Sequence, residues 1–236
     1  MEEDVRVAVF SMGGMKAPVP DGKVFRKFGY THISLLPKVQ SLELIAQFCP
    51  ISLCNVVSKV ISKCIANQLK QVLPSFISST QSAFVDDRMI TDNVLLAYKV
   101  HHVIKKKKVG QYGFFSLKLD MEKAYDRVEW GYLKNVMLTM GFPDKLVSLI
   151  MDFITTVSYS VLINGKRCGY FSPSRGLRQG DPLSPYLFIL CTEGLIALIN
   201  LAVARGEWNG IRIGRNGPMV SHLLFADDSI VCSSLD

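Results

Sequence analysis

Asp227 and Asp228 stand side by side in Leu223-Leu224-Phe225-Ala226-Asp227-Asp228-Ser229-Ile230-Val231-Cys232, between two short apolar runs. Each run suits a half-buried strand and Asp favours turns, so the stretch reads as a β-hairpin with the acid pair at its tip. Alone, such a pair is explained by the turn. Asp120 changes the weighing, because it closes a second apolar strand upstream. Three acids from two strand ends would make a hard-oxygen site for Mg²⁺. Two such ions, roughly 3.5–4 Å apart, can stabilise both oxygens of a phosphoryl displacement. Between the acids lies Ser174-Arg175-Gly176-Leu177-Arg178-Gln179-Gly180-Asp181-Pro182-Leu183-Ser184-Pro185. Its glycines permit close approach of a backbone and its arginines suit phosphate; the plainer reading is a tight loop capped into a helix by Asp181 or Ser184.

The elements that must hold these residues follow from periodicity. Phe114 to Asp120 alternates, with Phe115, Leu117 and Leu119 on the face expected to pack inward. A helix follows through Tyr125, Val128, Leu133, Val136, Met137 and Met140, stopped by Gly141 and Pro143. Tyr125 falls on its first turn, facing whatever the acids hold. Val157 to Ile163 alternates into Asn164-Gly165, a strong hairpin signal, with a return strand to about Phe171. Upstream, residues 1–40 read as irregular and 51–73 as a helix with a basic face, stopped by Pro74. Thr91 to about Ile104 reads as another helix, with Val94, Leu95 and Tyr98 on one side and His101 and His102 on its surface. The order after residue 113 predicts an α+β layer of mainly antiparallel strands backed by helices.

Composition sets the outer bounds. At 236 residues with 49% hydrophobic and 20% charged residues, the chain is globular and holds one large domain or two small ones. A net charge of +7 favours a polyanionic partner, and would equally suit a ribosome-like or membrane-surface role. Lys105 to Lys108 is the densest basic cluster, a solvated loop or a phosphate contact. Six scattered cysteines without ligand spacing point to reduced thiols, and the acidic start carries no signal peptide. An intracellular location, nucleus or cytoplasm, is the expectation. Pro185 to Ala204 is nearly all apolar, but Glu193 near its centre favours a buried helix over a membrane span.

Taken in order, these pieces resemble the reverse transcriptases of LINE-type, non-LTR retrotransposons, most closely those of plants. Phe115-Ser-Leu-Lys-Leu-Asp-Met-Glu-Lys-Ala-Tyr-Asp-Arg-Val-Glu-Trp130 looks like the first carboxylate motif, Arg175 to Phe188 like the substrate-positioning motif, and Phe225-Ala-Asp-Asp228 like the F/YxDD metal motif. Pro50-Ile-Ser-Leu-Cys-Asn55 and Gln81 to Asn93 resemble fingers segments, and Ala17 to Gly22 a segment upstream. The resemblance implies fingers and palm of a right-hand polymerase: an irregular stretch over 1–30, a fingers-like helical region over 31–113 and the palm over 114–236. It implies that Asp120 and Asp227 ligate two Mg²⁺ ions (Mn²⁺ as a substitute), with Asp228 beside them and the Met121 carbonyl helping. Tyr125 matches the steric gate against a ribose 2′-OH. Gln179 and Gly180 match the motif along the incoming nucleotide, and Arg88 a fingers arginine near template and nucleotide. The implied partners are an RNA template, a DNA primer and a dNTP, with oligomeric state open.

Departures from the pattern set a rival expectation. Cys49 stands where the family has Arg, Asp86-Asp87 where it has Pro-Gly, and Val19 where it has Gly. A few dozen residues are missing after Gly22, and the chain stops at Asp236, before the later palm motifs and thumb. On this basis the sequence resembles a truncated, degenerate copy, inactive as it stands. The rival function is a non-catalytic basic remnant binding nucleic acid through phosphate contacts.

Overall fold

The computed structural model describes residues 29–41, 43–107 and 113–235. Ala17 to Gly22, Val19 and Lys108 lie outside them. In chain order the strands and helices are β1 (Tyr30–Pro37), β2 (Phe48–Leu53), α1 (Val56–Phe76), α2 (Ile90–Lys106), β3 (Gly113–Asp120), α3 (Trp130–Thr139) and α4 (Asp144–Thr155). There follow β4 (Ser158–Ile163), β5 (Lys166–Phe171), α5 (Ser184–Ala204), β6 (Ile211–Arg212), β7 (Met219–Val220), β8 (His222–Phe225) and β9 (Asp228–Leu235). The chain forms two compact units, one of residues 1–72 and 125–188, the other of 73–124 and 189–236.

The first unit is built on a four-stranded sheet ordered β2-β1-β4-β5. Its pairings are antiparallel except β1 with β4, which run parallel. The Asn164-Gly165 hairpin is as expected: both turn residues take positive φ, 51° and 75°, which suits Asn and Gly and matches the twist of the flanking strands. α3 and α4 pack on each other. α4 was not anticipated, although Leu146, Val147, Ile150, Phe153 and Ile154 are all buried at helical spacing.

The second unit carries a three-stranded antiparallel sheet ordered β3-β9-β8 and the small β6-β7 pair. α2 covers it through a core of Val100, Ile211, Val220, Leu223 and Cys232, with Leu96, Ala97, Val103 and Phe114 packed against them. The α+β layer of mainly antiparallel strands is therefore the architecture observed.

Several expectations need correction. The irregular stretch over 1–40 gives way to β1 from Tyr30, held between β2 and β4. The helix expected from 51 begins at Val56, because Phe48–Leu53 is taken into the sheet. It also runs past Pro74, which lies in the last turn; the Ile77 N–H to Leu73 carbonyl bond, 2.9 Å, carries the backbone beyond it. Ser58 and Ser62 lie on its buried side, while Val56, Val57 and Val60 are exposed. On α2 the side bearing Val94, Leu95 and Tyr98 is exposed, and Val100 faces the core. Only the first half of β3 is covered: Phe115 meets Trp208 edge-on at 5.7 Å, whereas Leu117 and Leu119 stay open.

α5 is, among the described residues, the one helix long and apolar enough to cross a membrane. Leu187, Phe188, Ile189, Leu190 and Ile196 are buried, whereas Leu198 and Leu201 are exposed. Glu193 is buried and accepts from the Ser78 N–H (3.1 Å) and hydroxyl (2.6 Å). Burial pushes its carboxyl pKa up, partly offset by those two bonds and by Arg88.

Candidate active site

β3 and β9 pair so that Asp120 lies directly opposite Asp228. Cross-strand neighbours of this kind hold their Cβ atoms about 4.5–5.5 Å apart. β8 and β9 close around a two-residue turn, Ala226-Asp227, with Phe225 opposite Asp228. One sheet edge thus delivers Asp120 and Asp228 in register and Asp227 beside them. This edge also carries Lys118, whose Nζ reaches Asp228 Oδ1 at 2.8 Å. The Asp228 hydrogen bond and charge push the Lys118 pKa up, and the fields of Asp120 and Asp227 add to it. The ammonium therefore feels all three acids.

The backbone positions and hard-oxygen donors fit a divalent cation. The side chains do not converge as fully as expected: among the described residues no three His, Cys, Asp or Glu side chains are gathered to hold an ion. Lys118, two residues before Asp120, is paired with the Asp228 carboxylate at this strand end. Met121 follows Asp120 at the strand end, half-buried.

Arg88 belongs to the same unit. Its Nη1 donates to the carbonyls of Ser78 (2.6 Å) and Gln81 (2.8 Å), and its Nη2 to that of Ile77 (2.9 Å). Its guanidinium is thus engaged on main-chain oxygens. Asp86 and Asp87 beside it are exposed.

The remaining expected site residues lie in the other unit. Tyr125 opens a 3-10 turn, Tyr125–Arg127, ahead of α3 rather than the first turn of a helix. Its ring stacks on Phe188, centroids 5.0 Å apart and planes 16° from parallel. The Arg175-Gly176-Leu177 turn is tied to this segment by three bonds: Gly176 N–H to the Val128 carbonyl, Leu177 N–H to the Tyr125 carbonyl and Trp130 Nε1–H to the Gly176 carbonyl, each 2.8 Å. Gly176 is required here: its φ is +93°, and a Cβ would meet the Asp126 carbonyl oxygen at 3.0 Å. Trp130 was not singled out from sequence, though it closes the first carboxylate motif.

Gln179 and Gly180 lie against β2. The Ser52 N–H donates to the Gln179 carbonyl at 3.2 Å, and Gln179 Nε2 donates to Cys49 Sγ at 3.6 Å. The side chain at the departing position 49 therefore touches Gln179 itself. The two arginines of the loop are not free for phosphate as supposed. Arg175 pairs with Glu129 at 3.0 Å on the surface. Arg178 is buried 2.9 Å from Asp181 and lies 4.4 Å over the Phe153 ring. Asp181 also accepts from the Ser62 hydroxyl and from the Leu183 N–H just ahead of α5, so it fixes the loop rather than capping the helix's first turn as expected.

Comparison with known proteins agrees with this geometry. A 68-residue stretch is 60% identical to an uncharacterized mitochondrial protein of Arabidopsis thaliana, 29% of this chain and 56% of that protein. The transposon TX1 uncharacterized 149 kDa protein of Xenopus laevis is 32% identical over 199 residues, 84% of this chain and 15% of the other. A retrovirus-related Pol polyprotein from a type-1 R2 retrotransposable element of Nasonia vitripennis is 24% identical over 210 residues, 89% of this chain and 19% of the other. The chain thus spans less than two thirds of the length of each. Among solved structures, a telomerase of Candida tropicalis in complex with a fragment of telomeric RNA aligns with TM-score 0.59 at 14% identity, over 87% of this chain and 36% of the other. A Candida albicans telomerase in complex with the same kind of fragment gives 0.57 at 12%, over 90% and 39%. At such identities the likeness is one of fold, which is that of polymerase fingers and palm. The profile described as reverse transcriptase (RNA-dependent DNA polymerase) matches residues 36–236, and the chain belongs to that family.

Proposed function

We propose that this domain extends a DNA primer on an RNA template by attack of the primer 3′-hydroxyl on a dNTP. The observation that carries the proposal is the register of Asp120 with Asp228 beside the Ala226-Asp227 turn. Reverse transcriptases act on nucleic acid and generally use divalent metals; Mg²⁺ is the ion proposed here. Asp120 and Asp227 would hold it, with Asp228 beside them. When bound, the metal supplies acidity to the hydroxyl attacking the α-phosphate and countercharge to the leaving pyrophosphate. Asp120 and Asp227 stand at neighbouring strand ends of one sheet. In the other unit, Tyr125 stacks on Phe188, and the role assigned to it is exclusion of a 2′-OH. Gln179 and Gly180, lying against β2, are assigned the contact with the incoming nucleotide.

A second function, nucleic-acid binding without catalysis, is favoured by one observation: the Gln179 amide is engaged by Cys49. Primer extension with Mg²⁺ and dNTPs separates the two. Extension by the purified chain that disappears in Asp227→Ala supports catalysis. Salt-sensitive binding without extension supports the second reading.

A further inference from the structure

Ala226, the first residue of the acid-bearing turn, has φ +55°. That conformation is costly for a residue with a Cβ, on the order of 1 kcal/mol or more, and persists where its surroundings over-determine it. Gln81 does so. It is fully buried at 0% exposure. Its Oε1 accepts the Ala226 N–H at 3.1 Å and the Ala83 N–H at 3.0 Å, while Nε2 donates to Thr192 Oγ1 at 3.3 Å. The chain around it runs along β8 as a parallel bridge opposite Leu224. The Leu224 N–H donates to the Thr80 carbonyl (2.8 Å) and the Ser82 N–H to the Leu224 carbonyl (3.1 Å). Asn93 Nδ2 donates to that same carbonyl at 2.8 Å.

Gln81 is itself anchored. Its N–H donates to the Ser78 carbonyl at 3.0 Å and its carbonyl accepts from Arg88 at 2.8 Å. Arg88 also binds the Ser78 and Ile77 carbonyls, and Glu193 holds Ser78 from the other side. A buried network in which each member is satisfied specifies one conformation.

We propose that Gln81, braced by Arg88, is a positioning residue that locks Ala226 at positive φ and so sets where Asp227 leaves the hairpin. Its consequence for catalysis rests on the cation role proposed for Asp120 and Asp227; its geometric claim does not. The test uses the full chain with Gln81→Met, which keeps length and removes both polar atoms, alone and combined with Ala226→Gly, which enters positive φ freely. In Gln81→Met the Ala226 amide should exchange about tenfold faster with solvent, while amides of α2 keep their rates. Mn²⁺ affinity should fall about tenfold, the usual effect of losing a residue that orients a ligand. Ala226→Gly should restore most of that affinity in the Met background. If Gln81→Met does not fold, Gln81→Glu keeps the acceptor and should keep the Ala226 amide protected. The proposal is overturned if the Ala226 amide is unchanged in Gln81→Met, if all amides accelerate together, if Ala226→Gly restores nothing, or if Gln81→Glu loses the protection. Should the wild-type chain bind no Mn²⁺, the cation reading fails while the exchange measurement still decides Gln81.

Discussion

Asp181→Ala removes the group that staples the loop carrying Gln179 and Gly180. In the folded protein Asp181 is 3% exposed and Arg178 4%, their charges 2.9 Å apart. The pair is not ideally aligned: Arg178 Nη1 and Nη2 and Asp181 Oδ2 complete no hydrogen bond among the described residues. Deleting Asp181 leaves the Arg178 guanidinium buried over Phe153 without a countercharge, a loss of about 3–5 kcal/mol. The Ser62 hydroxyl also loses its acceptor, while the Leu183 N–H keeps Ser62 Oγ at 3.0 Å. Against a total stability of about 5–15 kcal/mol for a domain, this is a large fraction. Arg178→Met should cost less, because the remaining carboxylate keeps two donors, Ser62 and Leu183. The paired change Arg178→Met with Asp181→Leu should recover most of the loss, since apolar replacements of buried pairs are often neutral. Urea unfolding followed by circular dichroism reads all three variants through their midpoints at constant slope. If Asp181→Ala stays within about 1 kcal/mol of wild type, or the paired variant is no better than it, the pair is not a staple. Arg178 would then be free to turn outward to phosphate.

Burial lowers the pKa of His222 below the ordinary 6.5, and its ring nitrogens lie 2.9 Å from Thr80 Oγ1 and Ser221 Oγ. A depressed folded pKa means that stability is present above about 6.5 and lost as pH falls through the folded value, so the urea midpoint should drop between about pH 7.5 and 5.5. His222→Gln should flatten that decline, and an unchanged slope would exonerate the histidine. Glu193 runs the other way: its raised pKa contributes stability below the ordinary 4.5 that is lost as pH rises, so only the difference between the two proteins isolates His222. Lys118→Ala should tighten Mn²⁺ binding about two- to fivefold at low salt, because the ammonium competes for Asp228; weaker binding in calorimetry would contradict this. Tyr125→Ala, in a chain that shows extension, should lower the dNTP-to-rNTP ratio of kcat/KM about tenfold or more. An unaltered ratio would make Tyr125 a packing partner of Phe188 and nothing else.

What the sequence determined by itself is what short-range chemistry decides. Asn164-Gly165 dictates a hairpin because both residues tolerate positive φ, and the same two strands and turn are observed. The acid pair between two apolar runs forms the expected hairpin. Gly141 and Pro143 end α3 where they stand. The motifs, being linear, declared the family before any coordinate did.

Tertiary structure decided the rest. No local rule pairs Asp120 with Asp228, more than a hundred residues on; only a sheet register does. Nor could periodicity choose between the two apolar sides of α2, since Val94, Leu95 and Tyr98 are as hydrophobic as the side that meets Phe114 and Leu223. Among the buried polar residues, Gln81 in one unit and Ser62, Arg178 and Asp181 in the other, the sequence offered Arg178 for phosphate and Asp181 as a cap, and assigned Gln81 and Ser62 no role of their own. Gln81 and Ser62 are buried against partners from distant segments, Ala226 and Asp181, whereas Arg178 pairs locally with Asp181. A polar side chain gains by burial only when its hydrogen bonds are replaced, and the folded chain alone brings those partners within reach.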